Sequence, residues 1–431
     1  MTRRNFRASV SGGRRHRPHR FAALLMAAGL LGALTGTAPA QEASPRIVQV
    51  ATGNLHACAL TDAGELWCWG DNEYGQLGDG TQESRDLPVR VRRIGDGVRA
   101  VATGEAHSCA INRDGRVLCW GKGFHGQLGN GMAMNSSVPV RARGLGIEVR
   151  SIAAGGSHSC AINRFGRAFC WGANDVGQLG NGTTANKFAP EPVTGLRRSV
   201  RAIAAGRGHS CAINRVGRAF CWGYNLHGQL GDGTNETRLA PVPVSTATPR
   251  FNLRNIATIA TGDSHSCAVN TGGLFFCWGR NREGQLGLGD LDPRNEPAQV
   301  WRMRAAAAVG AGGDGGATTG MDGMAGVVSA GLWHSCGLHS NGSAYCWGGN
   351  GHGQLGIGAA GPPVAERTRV RLPRNATPGV VAAGGLFSCA SYDDFRIDVA
   401  CWGNNGLGSL GDGTRENSAR PVRVFFPWLG D

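Results

Sequence analysis

One unit of 51 residues recurs along the chain, and no other feature restricts the fold as much. It reads Ala-Ala-Gly-x-x-His-Ser-Cys-Ala-Ile-Asn-x-x-Gly-x-x-x-Cys-Trp-Gly-x-Asn-x-x-Gly-Gln-Leu-Gly, and seven copies can be aligned. The opening glycine falls at Gly53, Gly104, Gly155, Gly206, Gly262, Gly331 and Gly384. The Trp-Gly pair recurs at Trp69, Trp120, Trp171, Trp222, Trp278, Trp347 and Trp402. The first four copies are 51 residues apart, and the later gaps are 56, 69 and 53. A unit of this length cannot bury its apolar faces alone, so the copies must stack.

Each copy reads as four short strands, a to d. In the third, Val149 to Ala154 is strand a, Ser157 to Asn163 strand b and Arg167 to Trp171 strand c, with an outer strand near Pro192-Val193. The 71 glycines punctuate many tight turns rather than helices. Pro88, Pro139, Pro241 and Pro421 recur in strand d, where a missing N–H costs no ladder bond if the strand is an edge. Alternation puts His158, Cys160, Ile162, Ala168 and Cys170 on one face of strands b and c, and Ser159, Ala161, Phe169 and Trp171 on the other. A sheet apolar on both faces needs a neighbour on each side, which radial stacking provides.

The motif Gly-x-x-His-Ser-x-Ala-Ile followed by Trp-Gly-x-Asn-x-x-Gly-Gln-Leu-Gly resembles the regulator of chromosome condensation repeat, over about residues 46–426. The resemblance implies an all-β chain: a seven-bladed β-propeller of four-stranded antiparallel blades, starting near residues 46, 97, 148, 199, 255, 326 and 378. It does not imply a function, because this fold serves many.

All 14 cysteines lie in the repeat: Cys58 and Cys68, Cys109 and Cys119, Cys160 and Cys170, Cys211 and Cys221, Cys267 and Cys277, Cys336 and Cys346, Cys389 and Cys401. Six pairs are ten residues apart and the last is twelve, each centred on the b–c hairpin turn. Partners therefore oppose each other on one face, at the roughly 4.5–5.5 Å cross-strand spacing that a disulfide tolerates. Seven hairpin disulfides are the expectation, and these depart from the chromosomal members of the family.

Residues 1–20 carry seven arginines and no acid, an apolar run extends from Phe21 to Leu34, and Ala38-Pro39-Ala40 offers a cleavage site. Residues 1–40 are thus read as a signal peptide and 41–431 as a single propeller domain, with a glycine-rich loop insertion at 305–326. Thr2 to Phe6 also resembles a twin-arginine signal, which leaves the export route open. No segment of the mature chain is long and apolar enough to span a bilayer as a helix. The expected location is the periplasm, the cell surface or the medium, where disulfides persist. Losing seven arginines lowers the formal charge of +14 to +7, and 42 of the 44 basic residues are Arg, with Lys122 and Lys187 the exceptions. The excess is scattered rather than grooved, which argues against nucleic acid.

No catalytic site, metal site or cofactor is expected. His56, His107, His158, His209, His265 and His334 occupy one position in six copies, with Phe387 in the seventh, as suits blade packing. Asp79, Asn130, Asn181, Asp232 and Asp412, each before a glycine, fit turn chemistry. No serine-nucleophile elbow, phosphate loop or zinc-protease motif is present. Function then falls to residues that differ between copies. The a–b and c–d loops share one end of the propeller and gather the candidate partner-binding residues Tyr74, Phe124, His125, Arg207, Tyr224, His227, Arg280, Arg282, Trp333 and His352. Trp333 is singular in its column and, with Tyr224 and Phe124 as neighbours, is the expected anchor.

The reading is an exported, monomeric binding or scaffold protein that recognises a protein or cell-envelope ligand. A secreted enzyme inhibitor of the propeller type is the alternative. Guanine-nucleotide exchange fits poorly with export, and glycan cleavage would need carboxylates that Glu73, Glu105, Asp175, Asp263 and Glu283 offer only dispersed in sequence.

Overall fold

The computed structural model describes residues 45–302 and 328–428, apart from 96, 147, 197–198, 246–254, 340, 374–376 and 395–396. The segments read as signal peptide (1–40) and glycine-rich insertion (305–326) lie outside the described residues. Seven four-stranded antiparallel sheets form a β-propeller, each hydrogen-bonded in chain order from strand a to strand d. The inner strands are Ile47–Thr52, Ala100–Thr103, Val149–Ala154, Val200–Ala205, Ile256–Thr261, Val328–Ala330 and Pro378–Ala383. The first blade takes all four strands from the start of this series and the seventh takes all four from its end, so no blade mixes the two.

In the third blade strand b is His158–Asn163, strand c is Ala168–Gly172 and strand d is Lys187–Pro192. Ser157 falls outside strand b because its carbonyl accepts the Ala173 N–H at 2.8 Å, tying the a–b turn to the loop after strand c. Pro88, Pro139, Pro241 and Pro421 all lie in outer strands: Arg85–Arg90, Ser136–Arg141, Arg238–Pro243 and Ser418–Arg423.

The blades interlock through their two unlike faces. The cysteine face of each packs against the tryptophan face of the next: Cys109 and Cys119 share a cluster with Ala161 and Trp171, and Cys160 and Cys170 share one with Ala212 and Trp222. At the closing junction Cys389 and Cys401 meet Ala57, Ala59 and Trp69. The seven tryptophans of the Trp-Gly pairs are fully buried. Burying each of these large side chains contributes about 1.5–3 kcal/mol or more. The ring therefore closes by side-chain packing, without an exchanged strand.

All seven cysteine pairs are disulfides, each between directly opposed residues of strands b and c. Their Cα separations of 4.0–4.1 Å are shorter than the expected spacing, close to that of the narrow, non-hydrogen-bonded pair. Seven disulfides point to an oxidising environment. Among the described residues no helix is long and apolar enough to cross a membrane.

Candidate functional site

Two ends of the propeller differ in construction. At one, the residue that opens each c–d loop donates its N–H to the a–b turn of the same blade: Asp71 to Leu55, Lys122 to Ala106, Tyr224 to Gly208 and Gly349 to Trp333, all at 2.7–2.9 Å. At the other end, the b–c turns bond the connections between blades, as Val98 N–H does to the Gly64 carbonyl at 3.0 Å. The a–b and c–d loops thus form one face and the b–c turns the opposite one.

The repeated polar residues are consumed in joining blades. His56 Nε2 lies 2.9 Å from Ser108 Oγ of the next blade, and five more histidines repeat the contact with Ser159, Ser210, Ser266, Ser335 and Ser388 at 2.8–2.9 Å. Each of these serine hydroxyls donates its proton to the carbonyl of the glutamine in Gly-Gln-Leu-Gly, as Ser108 does to Gln76 at 2.9 Å. The serine oxygen therefore accepts from the imidazole, which fixes the proton on Nε2. The same glutamine carbonyl also accepts the indole N–H of the next blade, Trp120 to Gln76 at 2.8 Å. Burial pushes the imidazole pKa values down to about 3, and to about 4 for His158, so all six rings are neutral.

Close approach explains the opening glycine. A Cβ on Gly53 would stand 2.4 Å from the Gly104 carbonyl oxygen and 2.5 Å from the His56 ring. Around the axis, the residue after this glycine donates to the next blade's glycine carbonyl: Glu105 to Gly155, Gly156 to Gly206, Arg207 to Gly262, Asp263 to Gly331, Leu332 to Gly384 and Gly385 to Gly53, at 2.9–3.3 Å. This belt rims a central cavity of about 90 Å³. The Asp and Asn of the c–d loops close turns, as Asp79 does by accepting the Thr81 N–H at 2.9 Å.

The varied residues stand on the loop face in separate groups. Lys122 lies 5.1 Å over the Tyr74 ring, and Asp71, Glu73 and Glu105 together raise the Tyr74 pKa, with Glu73 the largest influence. That sector is acidic. Tyr224 meets His227 edge-on at 6.2 Å, and Arg280 lies 3.8 Å from Glu283. Burial first, then the Arg280 and Arg282 charges, lower the His227 pKa, so this second sector is basic. Arg207 pairs with Asp263 at 3.2 Å beside the cavity mouth, and His352 Nδ1 approaches Asn404 Nδ2 at 3.3 Å. Phe124 is 55% exposed and Trp333 39%, and His125 is half-buried beside Phe124.

Phe124, Tyr224 and Trp333 belong to the second, fourth and sixth blades. At least one blade therefore lies between each of them and the next. Sequence comparison also passed over exposed Met132, Met134 and Leu226 in the c–d loops and exposed Phe188 at the start of an outer strand. Their columns hold mostly small or polar residues, and that contrast was the available signal.

Comparisons with known proteins agree with this architecture. Residues 28–318 match the family model of the RCC1-like domain, and residues 328–354 match that of the regulator of chromosome condensation (RCC1) repeat. The chain is 34% identical over 256 residues to the ultraviolet-B receptor UVR8 of Arabidopsis thaliana, covering 58% of this chain and 57% of the receptor. It is 30% identical over 348 residues to a Caenorhabditis elegans homolog of the X-linked retinitis pigmentosa GTPase regulator, covering 72% of this chain and 24% of that protein. The chain thus spans little more than half the length of the first curated relatives it matches. Yeast RCC1 (Prp20), in its crystal structure with Kap60, superposes with a TM-score of 0.70 at 21% identity, covering 88% of this chain and 85% of that one. At that identity the likeness is one of fold. With a family model matched over 28–318 and the propeller that the family implies, the chain belongs to the RCC1-like domain family.

Proposed function

We propose that this chain is an exported, non-enzymatic binding or scaffold protein whose loop face recognises a protein or cell-envelope partner. In this reading residues 1–40 are removed on export and residues 41–431 act as one propeller. The observation that carries the proposal is the division of labour between columns. Repeated His, Ser, Gln, Trp and Cys side chains are buried in the junctions, whereas varied side chains, aromatic and arginine among them, stand exposed or half-buried on the loop face. Such residues are the ones that dominate protein interfaces. The disulfides fit a secreted protein, and the arginine-rich, then apolar N-terminus fits an export signal.

Family relatives support binding as the shared theme. A solved structure of Prp20p from Saccharomyces cerevisiae carries a description of its binding to Gsp1p and histones. The alternative within the same reading is an enzyme inhibitor of the propeller type, which would act by covering an enzyme with one loop face.

The test is to capture partners from the source organism's envelope and medium with the wild-type protein, then repeat the binding with Trp333→Ala. Trp333 is exposed, so the melting temperature should hold while affinity falls by about tenfold or more. A lowered melting temperature with affinity intact would make Trp333 structural and remove it from the site.

A further inference from the structure

The junction between the second and third blades differs from the other six on the loop face. Six blades anchor the c–d loop with an asparagine. Asn72, for instance, donates to Asp79 and to the Thr81 and Glu83 carbonyls, and accepts the Leu77 N–H. The second blade has Gly123 there instead. Its loop closes directly on the backbone, so that a Cβ on Gly123 would fall 1.9 Å from the Met134 carbonyl oxygen.

This loop presents apolar side chains where its equivalents are mostly polar or small. Phe124 stands where other blades have Glu73, Asp175, Leu226, Arg282, Gly351 and Gly406. Met132 replaces Thr81, Thr183, Thr234 and Thr414, and Met134 replaces Glu83, Glu236 and Glu416. From the third blade, Phe188 joins them. Its carbonyl accepts the Gly131 N–H at 2.8 Å, and its ring edge lies 2.6 Å from where a Gly126 Cβ would sit. The residues matching Phe188 are Asp86, Ser137, Leu239, Asn295, Ala365 and Ala419. Four large apolar side chains are thus left in water together: Phe124 55% exposed, Met132 51%, Met134 64% and Phe188 39%.

The two loop segments that carry the patch hold charge of one sign. From Gly115 to Ile147 and from Val176 to Pro190 the chain holds no Asp or Glu, while Lys122 and Lys187, its only lysines, directly flank Gly123 and Phe188. Elsewhere the matching loops carry carboxylates, as at Asp79, Asp232, Asp290 and Asp412.

We infer that this junction is a docking site for an acidic, apolar-rich segment of a protein partner; the inference rests on the loop-face reading above and narrows it to one sector. Met132 and Met134 supply adaptable contact area, Phe124 and Phe188 supply rigid anchors, and the lysines draw the acidic chain in. A bilayer is the less suitable occupant. A flat anionic surface covering this patch would also meet the neighbouring carboxylate sector of Asp71, Glu73 and Glu105.

Amine acetylation reads the site directly, because Lys122 and Lys187 are the only side-chain amines. The purified, oxidised protein is labelled alone, with short synthetic peptides rich in Asp, Glu, Leu and Phe, with the same peptides carrying Lys in place of the acids, and with phosphatidylglycerol vesicles. The inference expects the acidic peptides alone to protect both lysines. It also expects Phe124→Ser with Met134→Ser to weaken peptide binding by about tenfold or more while melting is unchanged. Binding of the acidic peptides without lysine protection, equal protection by the basic peptides, or protection by vesicles but not peptides would each overturn it. A captured natural partner that tolerates Phe124→Ser with Met134→Ser but is lost with Trp333→Ala would also overturn it, and would leave the loop-face reading standing.

Discussion

Phe387 of the seventh blade and Ala57 of the first share one buried cluster at the junction that closes the ring. They occupy the positions of the histidine and serine that join every other pair of neighbouring blades. Both polar partners are absent together, so neither is left buried without its bond. Of the polar contacts, the closing junction keeps the indole bond, from Trp69 to the Ser409 carbonyl at 3.0 Å.

A double-mutant cycle should expose this pairing. Phe387→His alone buries an Nε2–H with no acceptor and should cost about 1–3 kcal/mol of stability. Adding Ala57→Ser supplies the acceptor, with its own proton directed to the Ser409 carbonyl, and should recover much of that loss. Denaturant melts of the four proteins give a coupling of about 1–2 kcal/mol if the account holds. Purely additive changes would mean the two positions do not sense each other.

Acid should unfold the protein through its six buried histidines. Their folded pKa values lie near 3 to 4, below the ordinary 6.5, so between these limits the unfolded chain binds protons that the folded one does not. The stability they contribute is fully present above pH 6.5 and falls as pH drops toward 4. Each histidine contributes a slope of at most about 1.4 kcal/mol per pH unit. Equilibrium melts across this window should show that fall, and His158→Gln should make it shallower.

The disulfides staple hairpins that neighbouring blades already clamp. Replacing Cys160 and Cys170 with Ala should cost at most about 2–3 kcal/mol and leave a folded propeller. Circular dichroism melts check the size of the loss. Peptide mapping of the unreduced wild-type protein should find each cysteine linked to its partner ten or twelve residues away.

Much of the frame was legible because it repeats. The even spacing of Cys160 and Cys170 about a hairpin turn dictates that they face each other, and the Pro139 and Pro421 positions mark outer strands. The partner of His158 was not legible, since Ser210 lies on another blade and only the stacking order brings them together. The loop-face residues were found as columns that vary, but adjacency was not. The loop that carries Phe124 bonds the next blade's outer strand, Gly131 N–H to the Phe188 carbonyl, because contact between loops depends on how blades are set around the ring, which no local pattern encodes.

The division between a repeated frame and a varied binding face is tested most directly by hydrogen–deuterium exchange on the protein alone and saturated with its captured partner. The account predicts slowed exchange in the c–d loops, above all around Phe124 to Met134, and in the a–b turn at Trp333. The b–c turns at Phe165 and Val216, also exposed and apolar but on the opposite face, should exchange as before. Slowing confined to the Phe165 and Val216 turns, with the loop face unaffected, would contradict it.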